Sequence, residues 1–109
     1  MKLSQLRSYA MSLSEVTEEP HFHYSSFRVR EKIFATVPPE GARLHVFVPE
    51  EIRQTALAVE PEFLEKLLWG GRVVGLRVTL AKAEPSVVTG LLTQAWTHKA
   101  PNRLLAPDG

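Results

Sequence analysis

The residues best equipped for chemistry in this 109-residue chain are basic and aromatic rather than nucleophilic. Arg28, Arg30 and Lys32 fall within five positions of one another, and Arg43 and Arg72 lie farther along. Side chains alternate along a strand, so Arg28 and Arg30 are expected to point the same way. A projecting hairpin with this chemistry can rest on phosphates or enter a groove. The same residues suit an exposed strand edge, where charge deters unwanted pairing. Phe34 and Phe47 stand in β-rich stretches among these cations. They are candidates for a ligand-binding or base-stacking face, and equally for core or dimer packing.

His21 and His23 flank Phe22 and would share one side of an extended segment, with Glu18 and Glu19 nearby. Two imidazoles without a third ligand at metal-binding spacing do not define a metal site. They stay ligand-binding candidates, and no metal is assigned. Ser25 and Ser26 lie close to His23, but no nucleophile-elbow motif accompanies them. Gly70-Gly71 matches no phosphate-loop pattern and reads as a helix stop before a strand. No catalytic residue, cofactor or enzymatic activity is expected. Trp69 and Trp96 read as large core anchors.

Composition narrows the setting. The formal net charge is +1, so affinity for nucleic acid would have to come from local clustering. There is no cysteine, which excludes disulfides, zinc–thiolate sites and thiol catalysis. The first residues, Met1 to Arg7, interleave polar with apolar side chains and show no signal-peptide pattern. No apolar run approaches the roughly 20 residues of a membrane span. A cytoplasmic protein is the expectation.

The elements that would position these residues follow from periodicity. Leu3, Leu6, Tyr9, Ala10 and Leu13 form a helical stripe over residues 2–13. Ser14 to Pro20 reads as a polar connection. Phe27–Arg30, Lys32–Val37 and Arg43–Val48 read as three strands of an antiparallel meander. Pro49-Glu50-Glu51 opens a helix with carboxylates at the positive end of its dipole, and Pro61 breaks it. Phe63 to Trp69 reads as one or two further helical turns, and Arg72–Leu80 as a later strand. Pro85 opens the last helix and Pro101 ends it. The expected fold is α+β, an antiparallel sheet covered by N-terminal, middle and C-terminal helices. It would form a single domain over residues 1–104 with a flexible tail at 105–109.

Several short segments, in this order and spacing, resemble the MmcQ/YjbR family. They are Glu18-Glu19-Pro20-His21-Phe22, Ser26-Phe27-Arg28-Val29, Lys32-Ile33-Phe34-Ala35, Trp69-Gly70, Leu76-Arg77-Val78, Ala95-Trp96 and Ala100-Pro101-Asn102-Arg103-Leu104. The resemblance implies a CyaY-like α+β sandwich whose hairpins project as a double wing, with DNA as partner. It supplies no catalytic motif. Glu31 departs from the family pattern, which has glycine at that turn, and it adds a carboxylate to the basic tip. The leading expectation is therefore a DNA-binding or regulatory module that contacts phosphates through Arg28, Arg30, Lys32, Arg43 and Arg72. Its affinity would be modest and salt-dependent. The alternative is a protein- or small-ligand-binding domain, monomeric or dimeric, using His21, His23, Phe34 and Phe47.

Overall fold

The computed structural model describes residues 1–60 and 62–105. They form two layers: a six-stranded antiparallel sheet, with the three longer helices against one of its faces. The sheet comprises β1 (Val16–His21), β2 (Tyr24–Val29), β3 (Lys32–Val37), β4 (Arg43–Val46), β5 (Leu64–Trp69) and β6 (Arg72–Thr79). Its spatial order is β1-β2-β3-β4-β6-β5. The covering helices are α1 (Leu3–Ser12), α2 (Glu50–Val59) and α3 (Pro85–Lys99), and a short α4 (Asn102–Leu105) follows.

The core lies between these layers. Leu6 and Ala10 of α1 and Val88, Leu92 and Ala95 of α3 are fully buried. They meet Phe27, Val29, Phe34, Leu44, Val46, Leu76 and Val78 from the sheet. Burying a side chain such as Phe34 contributes about 1.5–3 kcal/mol. Ile52, Ala56 and Leu57 of α2 pack at the margin of the same core. Polar contacts fix the helices: the Tyr9 hydroxyl lies 2.6 Å from Thr93 Oγ1, and Trp96 Nε1 donates to the Ser14 carbonyl at 3.0 Å. Gly90 adds no packing of its own inside α3, and its neighbours Leu91 and Leu92 hold that turn against the core.

Two expectations about elements need correction. The polar connection at Ser14–Pro20 contains a strand, β1, paired along its length with β2. Pro20 is compatible with a strand here because β1 is an edge strand, with one side free of ladder partners. Phe63–Trp69 is not helical; Leu64–Trp69 is an edge strand in a hairpin with β6. Gly70 and Gly71, at φ 57° and 79°, make the turn of that hairpin rather than stopping a helix. Of the tail expected to be flexible, Leu105 closes α4, and residues 106–109 lie outside the described residues. Among the described residues no helix is long and apolar enough to cross a membrane.

Candidate functional site

The face of the sheet away from the helices carries the polar residues. Cross-strand partners share a face. One row therefore runs across all six strands: Glu19, Ser26, Thr36, His45, Arg77 and Glu65. Period-two alternation adds His21, Tyr24, Arg28, Arg43, Phe47 and Trp69 to this face. Two irregularities adjust the pattern. The β2–β3 register shifts between Phe27 and Arg28, which leaves Phe34 as an extra residue turned into the core. A second shift opposite Leu67/Leu68 leaves Val74 as the extra residue of β6.

The face is concave. His21 from one edge strand and Trp69 from the other line the same two hollows, of about 250 and 320 Å³, with Thr36 of the central strand between them. Opposite corners of the sheet therefore curl toward each other over its middle. A third hollow of about 240 Å³ continues past Tyr24 to Arg43, His45 and Arg77. Phe47 packs against Trp69 with ring centroids 5.1 Å apart, and Tyr24 leans toward His45 at 6.1 Å.

The floor is buried and polar. Thr36 is 1% exposed and His45 4%. Thr36 Oγ1 and His45 Nδ1 have no hydrogen-bond partner among the described residues. Arg77 Nε donates to His45 Nε2 at 3.4 Å, and Arg77 is also paired with Glu65 at 3.1 Å. Burial first, and next the Arg77 guanidinium, hold the His45 imidazole below its ordinary pKa range. Such unpartnered buried groups are rare in folded proteins.

The basic residues expected at one hairpin do not converge there. Arg28 lies on the concave face, where its Nε donates to Ser26 Oγ at 3.0 Å. Arg30 does not share that face: Arg30 and Glu31 are the turn between β2 and β3, at φ 51° and 71°. Arg30 is moreover paired with Glu15 at 2.6 Å. Lys32 is the cross-strand partner of the core residue Val29, so it sits on the helix side. Arg72, opposite Trp69, returns to the concave face. Arg43 is on that face too, but near the opposite end of the strands from Arg30, roughly 18 Å away at ~3.3 Å per residue. Arg28, Arg43 and Arg72 thus join Arg77 around one surface, and Arg30 and Lys32 do not.

The other candidates divide as well. Phe34 is fully buried under the helices and cannot meet a ligand. Phe47 is nearly buried, and it lines a hollow on the concave face. Phe22 and His23 turn the chain between β1 and β2, with Phe22 at φ 58°, so His21 and His23 do not form the expected one-sided pair. His23 faces another cleft, of about 510 Å³, between α1, the β1–β2 hairpin and the β3–β4 loop. That cleft is larger than the hollows of the concave face, but its Arg7 and Glu18 already bond each other at 2.8 Å, and neither unpartnered buried atom lines it. The hollow over Thr36 is therefore the better candidate. Trp69, expected in the core, is 49% exposed and forms a wall of it. Sequence reasoning missed Thr36. The signal available was its polar side chain between Ala35 and Val37 in a buried strand.

A two-layer α+β domain whose sheet curls around a polar-floored hollow is the class that fold and site define. The chain belongs to the YjbR family, whose model matches residues 11–98. It is also similar to the crystal structure of a Deinococcus radiodurans protein with a DUF419 domain. The TM-score is 0.78 at 19% identity, over 99% of this chain and 91% of that one. This likeness establishes the fold. No curated protein matches.

Proposed function

We propose that the domain binds single-stranded DNA on its concave sheet face, without carrying out chemistry on it. The observation that carries this reading is the combination of exposed rings with arginines around a ligand-sized hollow. Phe22 is 89%, Trp69 49% and Tyr24 36% exposed, a large share for aromatic side chains, which are usually well buried. Arg28, Arg43, Arg72 and Arg77 share the face with two carboxylates of the central row, Glu19 and Glu65. Rings that stack on bases, flanked by cations that track a backbone, are how sheets hold unpaired strands.

A duplex gripped by the hairpin tips is less well supported. β3 and β6 run in the same direction, so their preceding turns project from one end of the sheet like paired wings. Their tips carry Arg30, already neutralised by Glu15, then Glu31 and two glycines.

Fluorescence anisotropy with a labelled single strand, repeated across a salt series, tests the reading. Trp69→Ala should weaken binding by about 1–3 kcal/mol, the value of one stacked base. Arg43→Ala with Arg72→Ala should reduce the slope of log K against log salt by roughly 1.4, or 0.7 per phosphate contact. Unchanged affinity in both variants, or a preference for duplex that is lost with Arg30→Ala and Lys32→Ala, would refute it.

A further inference from the structure

We infer that the two hollows over the middle of the sheet form one trough that takes an aromatic ring bearing an anionic group, with Lys99 as the cation that meets the anion. A nucleotide and a free aromatic acid share that chemistry, so the inference goes beyond the single-strand reading and does not depend on it.

The hollows of about 250 and 320 Å³ are continuous, since His21, Thr36 and Trp69 line both. Phe22 and Tyr24 wall one end, and Ile33, Phe47 and Val74 the other. Among the described residues no aspartate, glutamate or arginine lines either hollow, and Lys99 is the one lysine that does. Lys99 belongs to the helix layer, as the last residue of α3. It reaches the opposite face because the sheet is open at that end. β4 stops at Val46, which pairs with Ala35 of β3 and Leu76 of β6. Phe47 N–H still donates to the Phe34 carbonyl at 3.0 Å, and the chain then leaves for α2. The opening residues of β3 and β6 therefore have no strand between them, and Ile33 and Val74 flank a slot where Lys99 meets the trough. The helix dipole favours a lysine at this terminus, but it does not require one that lines a hollow on the far face. Lys99 is half-buried and enters no ion pair among the described residues. Water screens such a charge less than one on open surface, so its pull on an anion is stronger. Small-molecule sites are mostly apolar, with a few polar groups that fix orientation, and run ~300–1,000 Å³. Each hollow is at the low end of that range, which suits one ring and its substituent. The rings and aliphatic walls bury the body of such a ligand, and Lys99 sets which end carries the charge.

The experiment titrates the isotope-labelled protein, followed by amide chemical shifts, with two pairs of probes that differ in charge. Thymidine monophosphate is set against thymidine, and benzoate against benzamide. In at least one pair the anion should bind roughly tenfold more tightly than its neutral partner, the scale of one hydrogen bond to a charged group. The pair that shows the difference tells a nucleotide from a free aromatic acid as the ligand. Shifts should centre on Ile33, Phe47 and Val74. Lys99→Met keeps the apolar stem and removes the ammonium. It should abolish the advantage of the anion and leave the affinity of the neutral probe unchanged. An advantage that survives in Lys99→Met, shifts that centre on Arg43 and Arg77 instead, or no preference for the anion in either pair overturns the inference. The single-strand reading is judged separately by its own anisotropy series: a labelled strand that fails to bind sinks that reading and leaves this one standing, and the reverse holds when only the strand binds.

Discussion

Gly75→Ala and Gly90→Ala make the same chemical change with opposite expected signs. A Cβ on Gly75 would stand 2.0 Å from the Val46 carbonyl oxygen and 3.1 Å from the Phe47 Cα. Both contacts are backbone, so no side chain can rotate out of the way. Real Cβ contacts essentially never fall below 3.0 Å, and β4 and β6 would have to part by about 1 Å. A ladder bond of ~2.9 Å stretched by that amount is no longer a hydrogen bond. Losing about two such bonds, each leaving buried groups poorly satisfied, costs about 3 kcal/mol or more. In a domain of this size that is a fall in Tm of about 12 °C or more. A Cβ on Gly90 meets nothing within 4 Å, in an exposed helical position. There alanine should stabilise by about 1 kcal/mol and raise Tm by about 4 °C. Thermal unfolding of both variants followed by circular dichroism is the assay. If Gly75→Ala melts within about 2 °C of the parent, the account of how β4 and β6 pack over the site is wrong.

Further outcomes are open to measurement. Glu31 occupies the left-handed region at φ 71°, where a side chain costs about 1–2 kcal/mol. Glu31→Gly should raise stability by about 0.5–1 kcal/mol after the added freedom of the unfolded chain is subtracted, as urea titration would show. Burial lowers the pKa of His45 and of His98, so the unfolded chain binds protons that the folded one resists. Stability is therefore fully present above the ordinary imidazole value of 6.5 and should fall as pH drops through it. His45→Gln should flatten part of that fall in a pH series of melts. Phe34→Ala, at a fully buried position, should cost about 3–5 kcal/mol in a urea titration, and any loss of the proposed DNA binding should track unfolding.

The helices could be read from the chain because their stripes are regular and their starts are marked. Glu50 and Glu51 do open α2, and Pro85 does open α3. The two edge strands were hidden for different reasons. β1 is acidic and contains a proline, so it lacks the composition of a strand and depends on its pairing with β2. β5 carries Leu64, Leu67 and Leu68 at helical spacing, and its buried residues fall three apart, a pattern that imitates a helix. Misreading β5 also concealed the site, since Trp69 faces His21 only once β5 closes the far edge of the sheet. Arg43 and His45 share a face because alternation in β4 is unbroken. Arg28 and Arg30, expected on one side, do not, because a two-residue turn falls between the parity rule and the hairpin tip. The floor pair depends on cross-strand register between Thr36 and His45, and no local pattern in a single chain encodes that.

His21 and Trp69 belong to strands that share no hydrogen bonds and lie at the two extremes of the sheet. A molecule lodged between them would act as a reversible clasp, tying the first strand to the fifth. Edge amides of both would then be expected to exchange more slowly with solvent in concert, although neither strand touches the other. In this architecture, recognition and stiffening of the outermost backbone would be the same event.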